Sequence, residues 1–324
     1  MKAYTIGFVT AAGVATALFG AQAIAESTGT VDSHVAAAKA AAGNNHVALF
    51  NSLCRPAPGP APARTGPRPV PERSTWHYDP VKVFDNLYYV GEQEYSAWAV
   101  TTSQGIVVID TIWAHSVEDE IVGGLRKLGF NPADIKYAIV QHAHIDHIGG
   151  AKYLQDKFGT RIVMADADWD FAERSPRLPA EIKPKRDVVA TDGQKLTLGD
   201  TAIEIHFTPG HTPGTVSLIY PVKDGAQTHR VATWGGTGFN FELKAETFQT
   251  YINSAVRYRD IVAKSGADIL LSNHTNSDGS KTRLPAMATR KPGDPHPYVV
   301  GNNVVQNYVK VAEECARANL LRLK

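Results

Sequence analysis

Behind the apolar run at 137–140 stands Gln141-His142-Ala143-His144-Ile145-Asp146-His147-Ile148-Gly149-Gly150, which places four metal-ligand side chains within six residues. A fold that uses them must turn tightly at the end of that strand. His142 and His144 then aim at one ion, while Asp146 and His147 point to its other side, where a second ion would sit a few ångströms away. The two glycines let the start of the next helix pack closely. Two more strand ends have the same character. The run 203–207 leads into Thr208-Pro209-Gly210-His211-Thr212-Pro213-Gly214-Thr215, presenting His211 on a rigid Pro/Gly turn as a third ligand for the first ion. The run 269–272 ends in Asn273-His274, and in this company His274 reads as a further ligand. Loops at the ends of several strands are where an α/β scaffold assembles an active site.

Cysteine cannot build such a centre here. Cys54 and Cys315 are the only two, against twelve histidines, so a metal must rest on imidazole and carboxylate. With 33 Lys plus Arg against 32 Asp plus Glu, there is no basic field to collect nucleic acid or an anionic membrane.

The N-terminus has its own logic. Lys2, an apolar run over 3–19 and the small residues Ala23-Ile24-Ala25 form a signal peptide with an A-x-A cleavage site, expected to be removed after residue 25. The alternative, an uncleaved anchor, is opposed by Gly7, Gly13 and Gly20 inside the run. A mature chain in the periplasm or outside the cell, and off the membrane, follows. Residues 26–55 are expected to form an arm of one or two short helices, capped at Asp32 or Ser33 and broken at Gly43-Asn44-Asn45; a disordered stalk is the competing reading. Seven prolines in the sixteen residues from Pro56 to Pro71 make 56–75 an extended linker. In an oxidising compartment Cys54 and Cys315 either form one disulfide or remain two free thiols.

From residue 76 to 324 the pattern is a single α/β domain. Strands are expected at 81–84, 87–90, 97–101 and 106–109, then 137–140, 161–164, near 196, and at 203–207, 216–220, 231–234 and 269–272. Helical periodicity falls at 117–128, 150–158, 165–173, 246–263 and 309–321. Meandering strands with interspersed amphipathic helices imply sheets held between helical layers.

His142-x-His144-x-Asp146-His147, the Gly210-His211-Thr212-Pro213-Gly214 turn and His274, in this order, resemble the metallo-β-lactamase superfamily over roughly residues 78–300. Phe84-Asp85-Asn86-Leu87-Tyr88-Tyr89-Val90-Gly91 and the His-Ala-His form of the loop look most like the third subclass, ligated by His and Asp alone. The resemblance implies a four-layer αββα sandwich and two zinc ions per chain. His142, His144 and His211 would hold the first ion; Asp146, His147 and His274 would hold the second, with Asp146 orienting a zinc-bound hydroxide nucleophile. Where many relatives carry a Gly-Asp-Thr segment whose Asp bridges both ions, this chain has Gly235-Gly236-Thr237, so the bridging carboxylate is absent and Gly236→Asp should restore it. The substrate is a small molecule. A β-lactam is the first reading, a lactone, thioester or other ester the second, and a non-catalytic metal-binding protein a remote third. Tyr95, Trp98 and Trp234 are the candidate pocket aromatics, with Thr237 beside the ions. The long N-terminal arm and the segment 277–297 depart from the family pattern and are expected to remodel the pocket.

Overall fold

Side-chain alternation along the strands decides how the layers stack. In β4 (Gly105–Ile109), Val107 and Ile109 enter one core while Ile106 and Val108 enter another, because successive side chains leave a strand on opposite faces. β10 (Val216–Asp224) behaves alike: Leu218, Tyr220 and Val222 share the core of Val107, and Ile219 faces a third. Two sheets apolar on both faces must pack back to back and take helices on their outer sides.

That is the architecture of the computed structural model, which describes residues 29–62, 69–291 and 293–324. The expected signal peptide lies outside the described residues, as does part of the Pro-rich segment. One sheet has seven strands in chain order: β1 (Val81–Phe84), β2 (Leu87–Tyr89), β3 (Trp98–Thr102), β4, β5 (Ile135–Ile139), β6 (Arg161–Ala165) and β7 (Val188–Ala190). β1 to β4 pair antiparallel, and β4 to β7 pair parallel. The other sheet is ordered β12 (Ile269–Ser272), β11 (Gln227–Trp234), β10, β9 (Thr201–Phe207) and β8 (Gln194–Leu198), antiparallel except for β11 with β12. Helices Ala151–Phe158 and Asp166–Arg174 cover the first sheet through Leu154 and Trp169, and Ala245–Ser265 and Asn302–Leu321 cover the second through Tyr251, Tyr258 and Val309. The chain therefore has the αββα sandwich.

The N-terminal arm is part of this packing. Helices Val31–Ala42 and Val47–Leu53 lie on the C-terminal helix and share its core. The first is capped by Thr30 rather than by Asp32 or Ser33: Thr30 Oγ1 accepts the Ser33 N–H and the Ser33 hydroxyl oxygen accepts the Thr30 N–H, a reciprocal box. His34 Nδ1 meets Glu314 Oε2 at 2.6 Å, and Cys54 is joined to Cys315 by a disulfide with Cα atoms 4.6 Å apart. Asn319 extends the seam, its amide nitrogen donating to Leu53 O and Arg55 O while its oxygen accepts the Ala57 N–H. Among the described residues no helix is long and apolar enough to cross a membrane.

Candidate metal centre

The ligand-type residues converge because three strands end at one edge of the sandwich. His142 and His144 leave β5, Asp146 and His147 sit on the short helix Ile145–Ile148, His211 lies on the turn between β9 and β10, and His274 follows β12. Donor atoms of His142, His144 and His211 fall within 4.8 Å of one another, as do those of Asp146, His147 and His274. The two triads adjoin: the rings of His142 and His147 are 4.3 Å apart.

Hydrogen bonds to the backbone fix which nitrogens face the centre. His142 Nδ1 donates to Gly235 O at 2.6 Å and His211 Nδ1 donates to Gly238 O at 2.7 Å. Burial, then neighbouring imidazoles, push both rings well below the ordinary histidine pKa, so they are neutral and their Nε2 atoms carry lone pairs. Those two atoms lie 3.1 Å apart, and His144 Nδ1 is 3.1 Å from His211 Nε2. Lone pairs brought this close repel unless a cation stands among them. The first triad therefore fits a metal of the imidazole-seeking kind, zinc foremost.

The second triad carries the carboxylate. Burial opposes ionisation of Asp146, but adjacent His147 outweighs it and holds the carboxyl far below its ordinary range. Asp146 Oδ2 is 3.3 Å from His147 Nε2 and 3.9 Å from His274 Nε2. Both ring nitrogens of His147 face carboxylates, Nδ1 towards Asp110 and Nε2 towards Asp146; although burial opposes it, these acids raise the ring to about 10, so an ion at Nε2 would take the place of a proton. Burial lowers His274 to about 4 and likewise His144 to about 4, keeping both available as neutral ligands. Beneath them Asp110, in the left-handed region at φ 58°, accepts the Gln141 N–H and the Asn273 amide and lies 3.1 Å from His147 Nδ1.

The triads open into a cavity of about 1040 Å³. Tyr95 lines it, edge-on to His274 and Trp113. Trp98 and Trp234 do not. Trp98 is 2% exposed in the core between the sheets against Tyr89 and Tyr298, and Trp234 is 1% exposed under the helical layer, donating to the Tyr251 hydroxyl. Thr237 is buried below the floor, its hydroxyl bonded to those of Ser272 and Tyr308. Among the described residues of 277–297 none lines the cavity; its wall comes instead from Trp113, Phe171, Arg177, Phe241 and, from the Pro-rich stretch expected to be a linker, Pro60 and Ala61. Gly236 lies where a Cβ would come within 2.5 Å of His211 Cβ, so this position has no room for a bridging carboxylate.

Comparison with known proteins points to one superfamily of hydrolases. The family model described as "Metallo-beta-lactamase superfamily" matches residues 90–228. Among curated relatives, an N-acyl homoserine lactonase of Bacillus cereus is 32% identical over 45% of this chain, and a hydroxyacylglutathione hydrolase of Mesorhizobium japonicum is 33% identical over 39%. The chain spans 59% of the lactonase's length and 44% of the hydrolase's. Among solved structures, BJP-1, a subclass B3 metallo-β-lactamase of Bradyrhizobium japonicum, superposes with TM-score 0.63 at 28% identity, covering 74% of this chain and 92% of that one. A mutant of the metallo-β-lactamase FEZ-1 from Legionella gormanii, 23% identical and covering 73% and 92%, shares the fold with TM-score 0.64.

Proposed function

Because this chain belongs to the metallo-β-lactamase superfamily, we propose that it is an exported two-zinc hydrolase that opens β-lactam rings. The observation that carries the metal chemistry is the pair of abutting triads at the mouth of one cavity. His142, His144 and His211 would hold one ion and Asp146, His147 and His274 the other. Bound zinc would supply Lewis acidity, bringing coordinated water towards neutral pKa and polarising a carbonyl. The protein's part is to position and to exclude water. Asp146 would orient the attacking water, while Tyr95, Trp113 and Phe171 line the approach with aromatic surface.

Two features favour a β-lactam. The solved subclass B3 metallo-β-lactamase BJP-1, at 28% identity, superposes over 92% of its own chain. Arg177 also lines the cavity, its guanidinium donating to Ala61 O, and no carboxylate pairs with it among the described residues. A guanidinium fork suits the carboxylate that β-lactams carry and neutral lactones lack. The curated relatives support the second reading, a lactone or thioester hydrolase. Export is supported by the A-x-A sequence and by the Cys54–Cys315 disulfide, which needs an oxidising compartment.

A turnover panel separates the readings. A penicillin, a cephalosporin and a carbapenem are expected to be hydrolysed faster than an acyl-homoserine lactone or S-lactoylglutathione. The reverse order would replace the first reading with the second.

A further inference from the structure

Asp168, on helix Asp166–Arg174, contributes no atom to either triad, yet its carboxylate is 0% exposed and fully engaged. Oδ2 accepts the Ala143 N–H at 2.8 Å and the Thr212 hydroxyl at 2.8 Å, and Oδ1 accepts the Gly214 N–H at 2.7 Å. Ala143 separates His142 from His144, and Thr212 follows His211. One side chain from a third element therefore ties together the two loops that supply every member of the first triad. The approach is so close that residue 214 must be glycine: a Cβ there would stand 2.5 Å from the Asp168 backbone nitrogen.

Shape alone does not call for an acid at this point. A buried anion is costly unless opposite charge lies nearby, and among the described residues no Lys, Arg or His forms an ion pair with Asp168. What a carboxylate does that an amide of the same size cannot is accept all three donors: an amide with its oxygen in the Oδ2 place would keep Ala143 and Thr212 but set its nitrogen against the Gly214 N–H. Its charge also suits a position beneath a cationic centre.

We propose that Asp168 is a positioning residue for the first ion: it clamps the His142–His144 loop to the His211 turn, so that the three imidazoles converge before metal arrives. The inference rests on the two-ion reading above. It predicts that loss of the clamp weakens one ion and spares the other, since Asp168 touches neither Asp146, His147 nor His274.

The test is zinc affinity, measured by competition with a chromophoric chelator on the full mature chain. Wild type is first shown to bind two ions. Fewer than two would remove the two-ion reading, and this inference with it. Asp168→Asn is then combined with His274→Ala, which leaves only the first triad, and separately with His211→Ala, which leaves the second. Affinity is expected to fall about 10–100-fold in the first background and to stay within about threefold in the second. The cobalt(II) absorption of the first background should change shape as well. Unchanged affinity in the His274→Ala background, or an equal fall in both, would overturn the proposal; an equal fall would mark Asp168 as general scaffolding. Should Asp168→Asn fail to fold, Thr212→Val decides, because it removes one donor to the clamp: a selective loss at the first triad, restored by Thr212→Ser, supports the proposal, and no loss overturns it.

Discussion

Asp110 Oδ2 lies 3.1 Å from His147 Nδ1, and both side chains are sealed from water. Asp110 also accepts the Gln141 N–H at 2.8 Å, so it joins the strand that carries the ligand loop to the ring that turns towards the second ion. Partners of this kind typically account for 10–100-fold in metal affinity. Asp110→Asn is therefore expected to weaken the second ion by about that factor, read by zinc competition, with the first ion nearly unaffected. Equal weakening of both would show that Asp110 supports the fold rather than His147.

Gly236 yields a prediction opposite to the one its sequence suggests. A carboxylate there was expected to bridge the ions, but any Cβ at 236 meets His211 Cβ at 2.5 Å. Gly236→Asp should push His211 aside and empty the first site, with zinc content falling towards one ion per chain. Tighter binding of both ions would show that the turn can move to admit the bridge.

The contrast between these positions shows what could be read from the sequence. The convergence of the candidate ligands was legible because His142 to His147 form a local cluster and His211 and His274 each follow an apolar strand. The sandwich was legible because apolar runs alternate with clear turn and helix signals. β7 was not, since three residues with one buried side chain, Ala190, carry too little pattern. Trp98 and Trp234 were misplaced because a strand aromatic faces the core or the pocket according to how the other sheet packs, which no local pattern records. The cavity wall joins loop residues such as Pro60 and Arg177 to Phe171 on a helix, a meeting of distant segments that no local pattern records, and Asp168 lies in Asp166-Ala167-Asp168-Trp169-Asp170, where it resembles a solvated acid.

The seam between the chain's ends predicts a stability effect. The disulfide closes a sequence separation of 261 residues and joins the arm to the C-terminal helix. Non-reduced, denatured protein should show no titratable thiol, and replacing both cysteines by serine should cost about 2–5 kcal/mol in denaturant unfolding. Two reactive thiols in the native preparation would contradict the pairing.

Glu92 predicts a pH dependence. Burial raises its carboxyl from 4.5 to about 7, and its partner is the Ser116 hydroxyl. Between those values the unfolded chain has lost a proton that the native state still holds, so this group's contribution to stability falls as pH rises through the window. Glu92→Gln should remove that slope, making the zinc-free variant more stable than zinc-free wild type near pH 8 by on the order of 3 kcal/mol, with no such advantage below pH 4.5. Parallel stability curves for the two proteins would refute it.

The central claim is that two distinct triads each hold one ion and that hydrolysis needs them. It is tested most directly by metal analysis of wild type, His211→Ala and His274→Ala, alongside carbapenem turnover before and after chelation. Two zinc ions are expected in wild type and about one in each variant, with activity that disappears on verified metal removal and returns with zinc. Full occupancy in either variant, or undiminished turnover in metal-free protein, would contradict it.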